Sequence, residues 1–147
     1  MAVKPIPDGF HTATPELNVK GVAKLIDFMK QAFGAQELMR MPGPGGAIMH
    51  AEVKIGDSII MMADAVRDAP MPGSIFLYVK DVDATYKQAL KAGATSVLEP
   101  TDMFWGDRFA RVKDASGNAW GIATHKEDVP PEEMPKRAAA FMKQQGG

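Results

Sequence analysis

Hydrophobic residues recur along two stretches of the chain with the spacing of an amphipathic helix. Over residues 21–33 the apolar positions share one face, and Gly34 follows as a helix stop. Over residues 82–92 the pattern recurs, with Asp81 at the N-cap position and Gly93 after the last turn. The sequence therefore predicts two helices. Their inward-facing residues are Val22, Leu25, Ile26, Met29 and Phe33 in the first, and Val82, Tyr86, Ala89 and Leu90 in the second.

The two helical patterns belong to two similar segments of the chain. The repeated pieces are Val19-Lys20 with Val79-Lys80, Gly34-Ala35 with Gly93-Ala94, and HAEVK at 50–54 with FARVK at 109–113. In each segment an extended stretch, at 10–19 or 74–79, precedes the helix and three strand patterns follow it. These strands are predicted at 36–41, 47–55 and 58–63, and again at 95–99, 108–113 and 119–124. A duplicated βαβββ order indicates an α+β fold in which each helix covers one face of a sheet.

The chain has the length of a single domain, at 147 residues. We divide it into a first module at about 10–63, a Pro-rich linker at 64–73, a second module at about 74–125 and a helical tail at 126–147. In the tail, Pro131 and the two glutamates after it are typical of a helix start. Pro135 lies too deep for a first turn that begins there, so it favours a later start.

The charge balance and the cysteine count narrow the possible partners. Lysines and arginines number 17 against 18 acidic residues, so the chain lacks the basic excess of a nucleic-acid-binding surface. It has no cysteine, which excludes disulfides and cysteine metal sites and suits a reducing compartment. It has neither an apolar run of about 20 residues nor an apolar signal segment at its start. We therefore expect a soluble cytoplasmic protein without a nucleic-acid or membrane partner.

Candidate chemistry comes from the alternation of residues along the strand predicted at 47–55. One face is apolar and should pack under the helix, and the other should point to a cavity or to solvent. The apolar face consists of Ala47, Met49, Ala51, Val53 and Ile55, and the other of Ile48, His50, Glu52 and Lys54. In the second module Phe109, Arg111 and Lys113 take the places of His50, Glu52 and Lys54. A few polar groups among aromatic walls are typical of a small-molecule pocket. The expected ligand-binding residues are Glu16, His50, Glu52, Trp105, Phe109, Arg111 and Trp120.

Several of these residues have an equally good structural interpretation. Glu52 and Arg111 are as well explained by a cross-strand ion pair or by two solvated side chains. Trp120 stands between small residues on a short strand, so core packing is as well supported as ligand stacking. Glu16 could serve as a base, as a counter-ion for a cationic ligand, or as a solvated carboxylate.

Two short motifs leave similar alternatives open. In FWGDR, Trp105 is interpreted as a wall at the cavity mouth, while Asp107 or Arg108 could tie the turn to its neighbours. His50 and Glu52 place two metal-ligand side chains on one strand face, but no motif supplies a third. A metal at this pair is therefore the less favoured interpretation.

The duplicated βαβββ order, together with the segments FMKQAFGA, MHAEVKIGDS, FWGDR and DASGNAWGIATH, resembles the vicinal oxygen chelate superfamily. Within it, the chain is most similar to the PhnB-like branch of the glyoxalase/bleomycin-resistance/dioxygenase family, over about residues 10–128. This resemblance implies two modules that close a cupped eight-stranded mixed sheet around a cavity, often as a homodimer. The superfamily includes glyoxalases, extradiol dioxygenases, epimerases and metal-free drug-binding proteins, so the fold alone assigns no reaction.

The same resemblance provides a test for a metal site. Metal-dependent members carry four ligands, typically His or Gln on the leading strand of each module and Glu on the closing strand. Carried onto this chain, the leading positions are Thr14 and Ser74, and the closing positions are Met61 and Gly121. None of these side chains is a competent ligand for the Zn, Ni, Mn or Fe ions of such sites. We therefore expect no inherited metal site and no cofactor.

Together these patterns favour a homodimeric protein that binds a small organic molecule in an apolar cavity without a metal. Sequestration of a drug or toxin is one form of this function. The first alternative is an enzyme of the glyoxalase, isomerase or dioxygenase type with a non-standard site around His50 and Glu52. The second is a structural or protein-interaction domain whose own side chains fill the cavity.

Overall fold

The computed structural model describes residues 2–146, which form eight β-strands, three α-helices and two short 3-10 turns. The first module contains β1 (Glu16–Val19), α1 (Val22–Phe33), β2 (Gln36–Pro42), β3 (Ile48–Ile55) and β4 (Ser58–Asp64). The second contains β5 (Ser74–Tyr78), α2 (Val82–Lys91), β6 (Thr95–Asp102), β7 (Asp107–Lys113) and β8 (Ala119–His125). The last helix is α3 (Met134–Gly146), and the 3-10 turns are Pro44–Gly46 and Pro131–Glu133.

Each module folds its four strands into one mixed sheet with the same topology. The strand order is β1-β4-β3-β2 in the first sheet and β5-β8-β7-β6 in the second. In both sheets the first strand of the module runs parallel to the last, and the other neighbours are antiparallel. The predicted α+β fold of two βαβββ modules is therefore confirmed.

The helices begin and end where the sequence predicts, through caps that the chain supplies in different ways. Asp81 accepts a hydrogen bond from the Ala84 N–H at 3.1 Å and caps α2, as expected of an N-cap aspartate. At the end of α1, Gly34 adopts a left-handed conformation with φ 67°, which closes the helix.

The start of α1 depends on a residue from the other end of its module. Oδ1 of Asp64, at the end of β4, accepts hydrogen bonds at 3.0 Å from the N–H groups of Gly21 and Val22. Its Oδ2 accepts a further bond at 2.7 Å from the Ile48 N–H, at the start of β3. Asp64 thus joins β3, β4 and α1, and its negative charge lies at the positive end of the helix dipole.

The hydrophobic core lies on the helix side of both sheets, and α1 and α2 pack against each other. From the sheets it receives buried side chains such as Val53, Ile60, Val112 and Ile122. Across the modules, the ring of Phe33 lies 5.0 Å from the Trp120 ring. Both modules therefore share one core. This leaves one face of each sheet turned away from the helices, and we call it the open face.

The alternation predicted for β3 holds at Ala51 and Val53 but is wrong at its start. Ile48 was expected beside His50 and instead is buried in the core, while Met49 was expected inside and is 56% exposed. The register with β2 shifts here, because Met41 pairs with His50 and Pro42 with Ile48. Met49 has no partner in this ladder, so a β-bulge reverses the alternation at that residue.

The tail packs loosely on the second module. Helix α3 begins at Met134, with Pro135 in its first turn, after the 3-10 turn at Pro131–Glu133. Phe141 contacts the ring of Phe104 at 5.5 Å between centroids, and Arg137 pairs with Glu127. No helix within residues 2–146 is long and apolar enough to cross a membrane.

Candidate functional site

The open face of the first sheet carries a row of paired side chains that crosses all four strands. By register, Glu16 of β1 lies beside Met61 of β4, Met61 beside Glu52 of β3, and Glu52 beside Met39 of β2. His50 lies two residues from Glu52 on the same face, and its Nε2 is 2.9 Å from Glu52 Oε2. Both side chains are partly buried. The structure thus places the three polar residues predicted for the first module on one face, with His50 and Glu52 in contact and Glu16 on the far side of Met61.

The open face of the second sheet carries aromatic rings where the first carries carboxylates. The ladder places Phe76 of β5 beside Gly121 of β8, and Gly121 beside Arg111 of β7. The rings of Phe76 and Phe109 are stacked, with centroids 5.3 Å apart and planes within 5°. We call these two residues the ring pair. Phe76 is 44% exposed, so the outer side of the pair is open to solvent.

Gly121 lies beneath the ring pair, and its lack of a side chain makes the stacking possible. A Cβ atom at this position would lie 2.9 Å from Phe76 Cδ2 and 3.0 Å from Phe109 Cε1. A glutamate there would have to displace both rings. The position to which the resemblance assigns a metal-binding carboxylate is therefore covered by aromatic side chains in this protein.

The other three predicted ligand positions do not form a metal site either. Thr14 donates its hydroxyl hydrogen to the His11 carbonyl at 3.3 Å, Ser74 is exposed at the start of β5, and Met61 contributes a thioether. Within residues 2–146, no three His, Cys, Asp or Glu side chains gather closely enough to hold a metal ion. The donor set present does not fit the ion that the resemblance implies.

Arg111 lies beside the ring pair, whereas Glu52, its predicted ion-pair partner, lies on the other sheet. The guanidinium carbon of Arg111 is 5.2 Å from the centroid of the Phe109 ring, a cation–π distance. The interpretation of Glu52 and Arg111 as a cross-strand ion pair is wrong within one chain, because β3 and β7 belong to different sheets. Strand alternation identifies the open face of each sheet but does not tell which sheets lie side by side.

A buried carboxylate organises the far end of the second open face. Asp107 is 2% exposed and accepts hydrogen bonds from the Tyr78 hydroxyl and from Trp105 Nε1–H, both at 2.9 Å. Its other oxygen lies 2.8 Å from His125 Nδ1. This confirms the interpretation of Asp107 as a tie between the FWGDR turn and its neighbours. The neighbouring Arg108 has a similar role, because it pairs with Asp83 and Asp102.

These contacts shift the pKa values of the groups involved. Burial alone would raise the pKa of Asp107, but the hydrogen bonds from His125, Tyr78 and Trp105 outweigh it and lower the pKa below its usual value. The pKa of His125 is raised by its hydrogen bonds to Asp128 and Asp107. The hydrogen bond to Asp107 also raises the pKa of the Tyr78 phenol. These contacts thus stabilise the ionised form of Asp107 and the protonated form of His125 relative to the free side chains.

The two predicted tryptophans lie on opposite sides of the second sheet. Trp105 is partly buried with its ring centroid 6.0 Å from that of Phe109, beside the ring pair. Trp120 was predicted as a wall, but it is fully buried on the helix side, and its Nε1–H donates to Asp114 Oδ2 at 2.7 Å. It cannot contact a ligand on the open face. Its position follows from the alternation of β8, where Gly121 faces the other way.

A cleft of about 1110 Å³ lies along the free edge of β5. Its walls are residues 10, 11 and 13–15, the turn and strand start at 55–60, residues 75–80, and Phe33, Thr124 and His125. None of the predicted site residues lines this cleft within the described chain. It nevertheless joins the open face of the second sheet, because Phe76 and Tyr78 belong to both. The sequence signal for this surface was the alternation of Ser74, Phe76 and Tyr78 along β5.

Comparison with known proteins places the chain in a family. The profile of the glyoxalase/bleomycin resistance protein/dioxygenase superfamily matches residues 10–122. The chain is 37% identical over 133 residues to an uncharacterised protein of Mycobacterium bovis, a match that covers 82% of this chain and 88% of that protein. An uncharacterised protein of Mycobacterium tuberculosis is also 37% identical over 133 residues, with 82% of this chain and 78% of that protein covered.

Solved structures have the same fold. TioX from Micromonospora sp. ML1 is similar with a TM-score of 0.65 and 24% identity, over 82% of this chain and 100% of that one. TnmS3, an antibiotic binding protein from Streptomyces sp. CB03234, is similar with a TM-score of 0.63 and 25% identity, over 86% of this chain and 99% of that one. Together with the duplicated modules and the family profile, these matches establish that the chain belongs to the glyoxalase/bleomycin resistance protein/dioxygenase superfamily.

Proposed function

We propose that this protein binds a small organic molecule on the open face of the second sheet and in the adjoining cleft, without a metal ion. The observation that carries the proposal is the ring pair over Gly121. Phe109 is buried beneath Phe76, whose exposed ring is suited to stacking on a further planar ring, at about 0.5–1.5 kcal/mol beyond the burial of apolar area. The similarity to an antibiotic binding protein supports the same class of function, with sequestration of a drug or toxin as one form of it.

The shape of the surface supports binding as well. Phe76 and Tyr78 are large side chains that remain 44% and 65% exposed side by side, which is typical of a surface that receives a partner or ligand. They border a cleft of about 1110 Å³, slightly above the range of about 300–1,000 Å³ that is typical of sites for drug-sized molecules. A cleft of this size also argues against the alternative of a domain whose cavity is filled by its own side chains.

An acid–base enzyme is the second candidate, and the His50–Glu52 pair favours it. A histidine hydrogen-bonded to a partly buried carboxylate at 2.9 Å has the geometry of a proton acceptor held in one orientation. Glu16 lies on the same face, in the same row as Glu52. Turnover of a bound ligand that is lost in His50→Gln, with ligand affinity unchanged, would favour this candidate over simple binding.

We further propose that the chain belongs to the PhnB-like branch and acts as a cytoplasmic homodimer. Support for a dimer comes from exposed apolar side chains outside the proposed binding surface, namely Met39 and Met41 on the open face of the first sheet. Absence of cysteine suits the reducing cytoplasm, and the balanced charge gives no reason to expect a nucleic-acid partner. Light scattering after gel filtration tests the dimer: a mass near 15.8 kDa at micromolar concentration would contradict it.

The proposed function is tested by binding of phenylnaphthylamine, an uncharged aromatic dye whose fluorescence rises on transfer to an apolar site. We expect saturable binding that weakens about fivefold in Phe76→Leu, since that variant loses one stacking contact of about 1 kcal/mol. Phe141→Leu is the matched control, because it removes a phenyl ring from α3, away from the cleft. Equal dye affinity in the two variants would contradict a binding site at the ring pair.

A further inference from the structure

The open face of the second sheet places two cationic side chains in line with the ring pair. Phe109, Arg111 and Lys113 alternate along β7 and therefore share this face. We propose that the ligand of this protein is a planar aromatic anion, whose ring stacks on Phe76 and whose negative group pairs with Arg111. The inference rests on the proposed function and adds the charge of the ligand to it.

The first step concerns the availability of Arg111. Arg40, Arg108 and Arg137 each pair with a carboxylate at 3.4 Å or less. For the exposed Arg111, by contrast, residues 2–146 contain no carboxylate within ion-pair distance. Its guanidinium instead lies 5.2 Å from the Phe109 ring centroid, which limits its motion and leaves its N–H groups free to donate to a ligand.

The second step concerns the carboxylates that could compete for a cation on this face. Asp107 shares the face with Phe109 but is 2% exposed, and its oxygens already accept from Tyr78, Trp105 and His125. It is therefore not available as a counter-ion for a ligand. The remaining charges along β7 on this face are the exposed Arg111 and Lys113. The exposed charges that β7 places next to the ring pair are thus positive and favour a negative group, although β6 adds the exposed Glu99 beyond Leu98, the residue paired with Arg111.

The third step joins ring and charge in one ligand. Gly121 lies between Phe76 and Arg111 in the strand ladder, so the stacking surface and the guanidinium share one face two strands apart, a span of about 10 Å. A planar guanidinium donates two parallel hydrogen bonds to a carboxylate or sulfonate, which fixes the orientation of the negative group. A flat ring with such a group at its edge makes both contacts at once. The open face of the first sheet, with Glu16 and Glu52, lacks this combination.

A pair of dyes isolates the contribution of charge. Anilinonaphthalene sulfonate and phenylnaphthylamine have the same ring system, and only the first carries a sulfonate. We expect the sulfonate dye to bind the wild-type protein about tenfold more tightly, because hydrogen bonds to charged groups are the stronger class. Raising the salt concentration should reduce this preference and leave the affinity for the neutral dye unchanged.

Variants of Arg111 test whether its charge causes the preference for the sulfonate dye. In Arg111→Gln we expect the tenfold preference to disappear through weaker binding of the sulfonate dye alone, and in Arg111→Lys we expect part of it to return. Arg67→Gln, in the linker between the modules, removes the same charge outside the open face and should leave both affinities unchanged. If both dyes bind with equal affinity, or if Arg111→Gln leaves the preference intact, the charge assignment is overturned while the binding function stands. If neither dye binds, the proposed function itself fails.

Discussion

Gly121→Ala tests whether the ring pair depends on the missing side chain. The added Cβ would meet Phe76 Cδ2 at 2.9 Å and Phe109 Cε1 at 3.0 Å, so at least one ring must move by a few tenths of an ångström. The backbone itself does not oppose the change, because Gly121 is not among the glycines with positive φ. Overpacking of this kind costs about 1–3 kcal/mol, and the reduced freedom of the unfolded chain returns about 0.4–1 kcal/mol. We expect a net loss of about 1 kcal/mol.

Thermal or urea unfolding measures this loss, and a second substitution identifies its source. For a chain of this length, 1 kcal/mol lowers Tm by about 3 °C. Phe76→Ala removes one of the rings that the new methyl group meets. In that background we expect Gly121→Ala to be neutral or slightly stabilising, which gives a coupling energy of about 1 kcal/mol between the two sites. Gly146→Ala is the control, because a Cβ there meets no atom within 4 Å.

The result that would refute the reasoning is a cost of Gly121→Ala that stays the same after Phe76 is removed. Such a result would mean that the methyl group is opposed by the backbone or by Phe109 alone, not by a stacked pair. Dye binding gives an independent measurement. Displaced rings should weaken phenylnaphthylamine binding in Gly121→Ala by a factor similar to that in Phe76→Leu, about fivefold.

Three further predictions concern the polar contacts. Asp107→Asn should destabilise the fold by about 2 kcal/mol because the amide cannot accept from Tyr78, Trp105 and His125 together. Because folding lowers the pKa of Asp107, its contribution to stability is present above the pKa of the unfolded state and is lost as the pH falls below about 4. The unfolding free energy of Asp107→Asn should therefore depend less on pH in this acidic range. In NMR spectra, His125 should titrate at a higher pH than a free histidine. Its contribution to stability should be present below about pH 6.5 and should be lost as the pH rises through the pKa of the folded state. A titration midpoint at or below that of a free histidine would contradict this prediction. Asp64→Ala should lower the free energy of unfolding in a urea titration by about 2 kcal/mol, because the N–H groups of Gly21, Val22 and Ile48 lose their acceptor. Asp57→Ala, in an exposed turn, is the control and should be neutral in the same titration.

Most of the fold could be predicted because the local signals agree with the tertiary structure. The helical periodicity, the Asp81 cap and the Gly34 stop each specify an element without reference to distant residues. The start of the leading strand was harder to predict, because residues 10–14 look extended in the sequence but belong to no strand, and most of them line the cleft. The bulge at Met49 could not be predicted from the sequence either, because it depends on the pairing register with β2.

The candidate site was predicted in part. Strand alternation placed His50 with Glu52, and Phe109 with Arg111, on the open faces, since a period of two is a local property. It could not show that these faces belong to different sheets. The same alternation in β8 separates large from small residues: Trp120 and Ile122 occupy the core side, and Gly121 and Ala123 the open side. Small residues on an open face leave space for larger side chains from the neighbouring strand.

That space explains why a carboxylate at residue 121 and the stacked rings exclude each other. A carboxylate at residue 121 would project from β8 between β5 and β7, where Phe76 and Phe109 now meet. Glycine at this position supplies no carboxylate and leaves room for the rings to stack, so the absence of a metal-binding side chain and the stacking have the same physical cause. Met61, at the corresponding place in the first sheet, also supplies no carboxylate, but no rings stack over it because its neighbours are Glu16 and Glu52. The two modules therefore share a topology while their open faces differ, one with carboxylates and thioethers and the other with rings and cations.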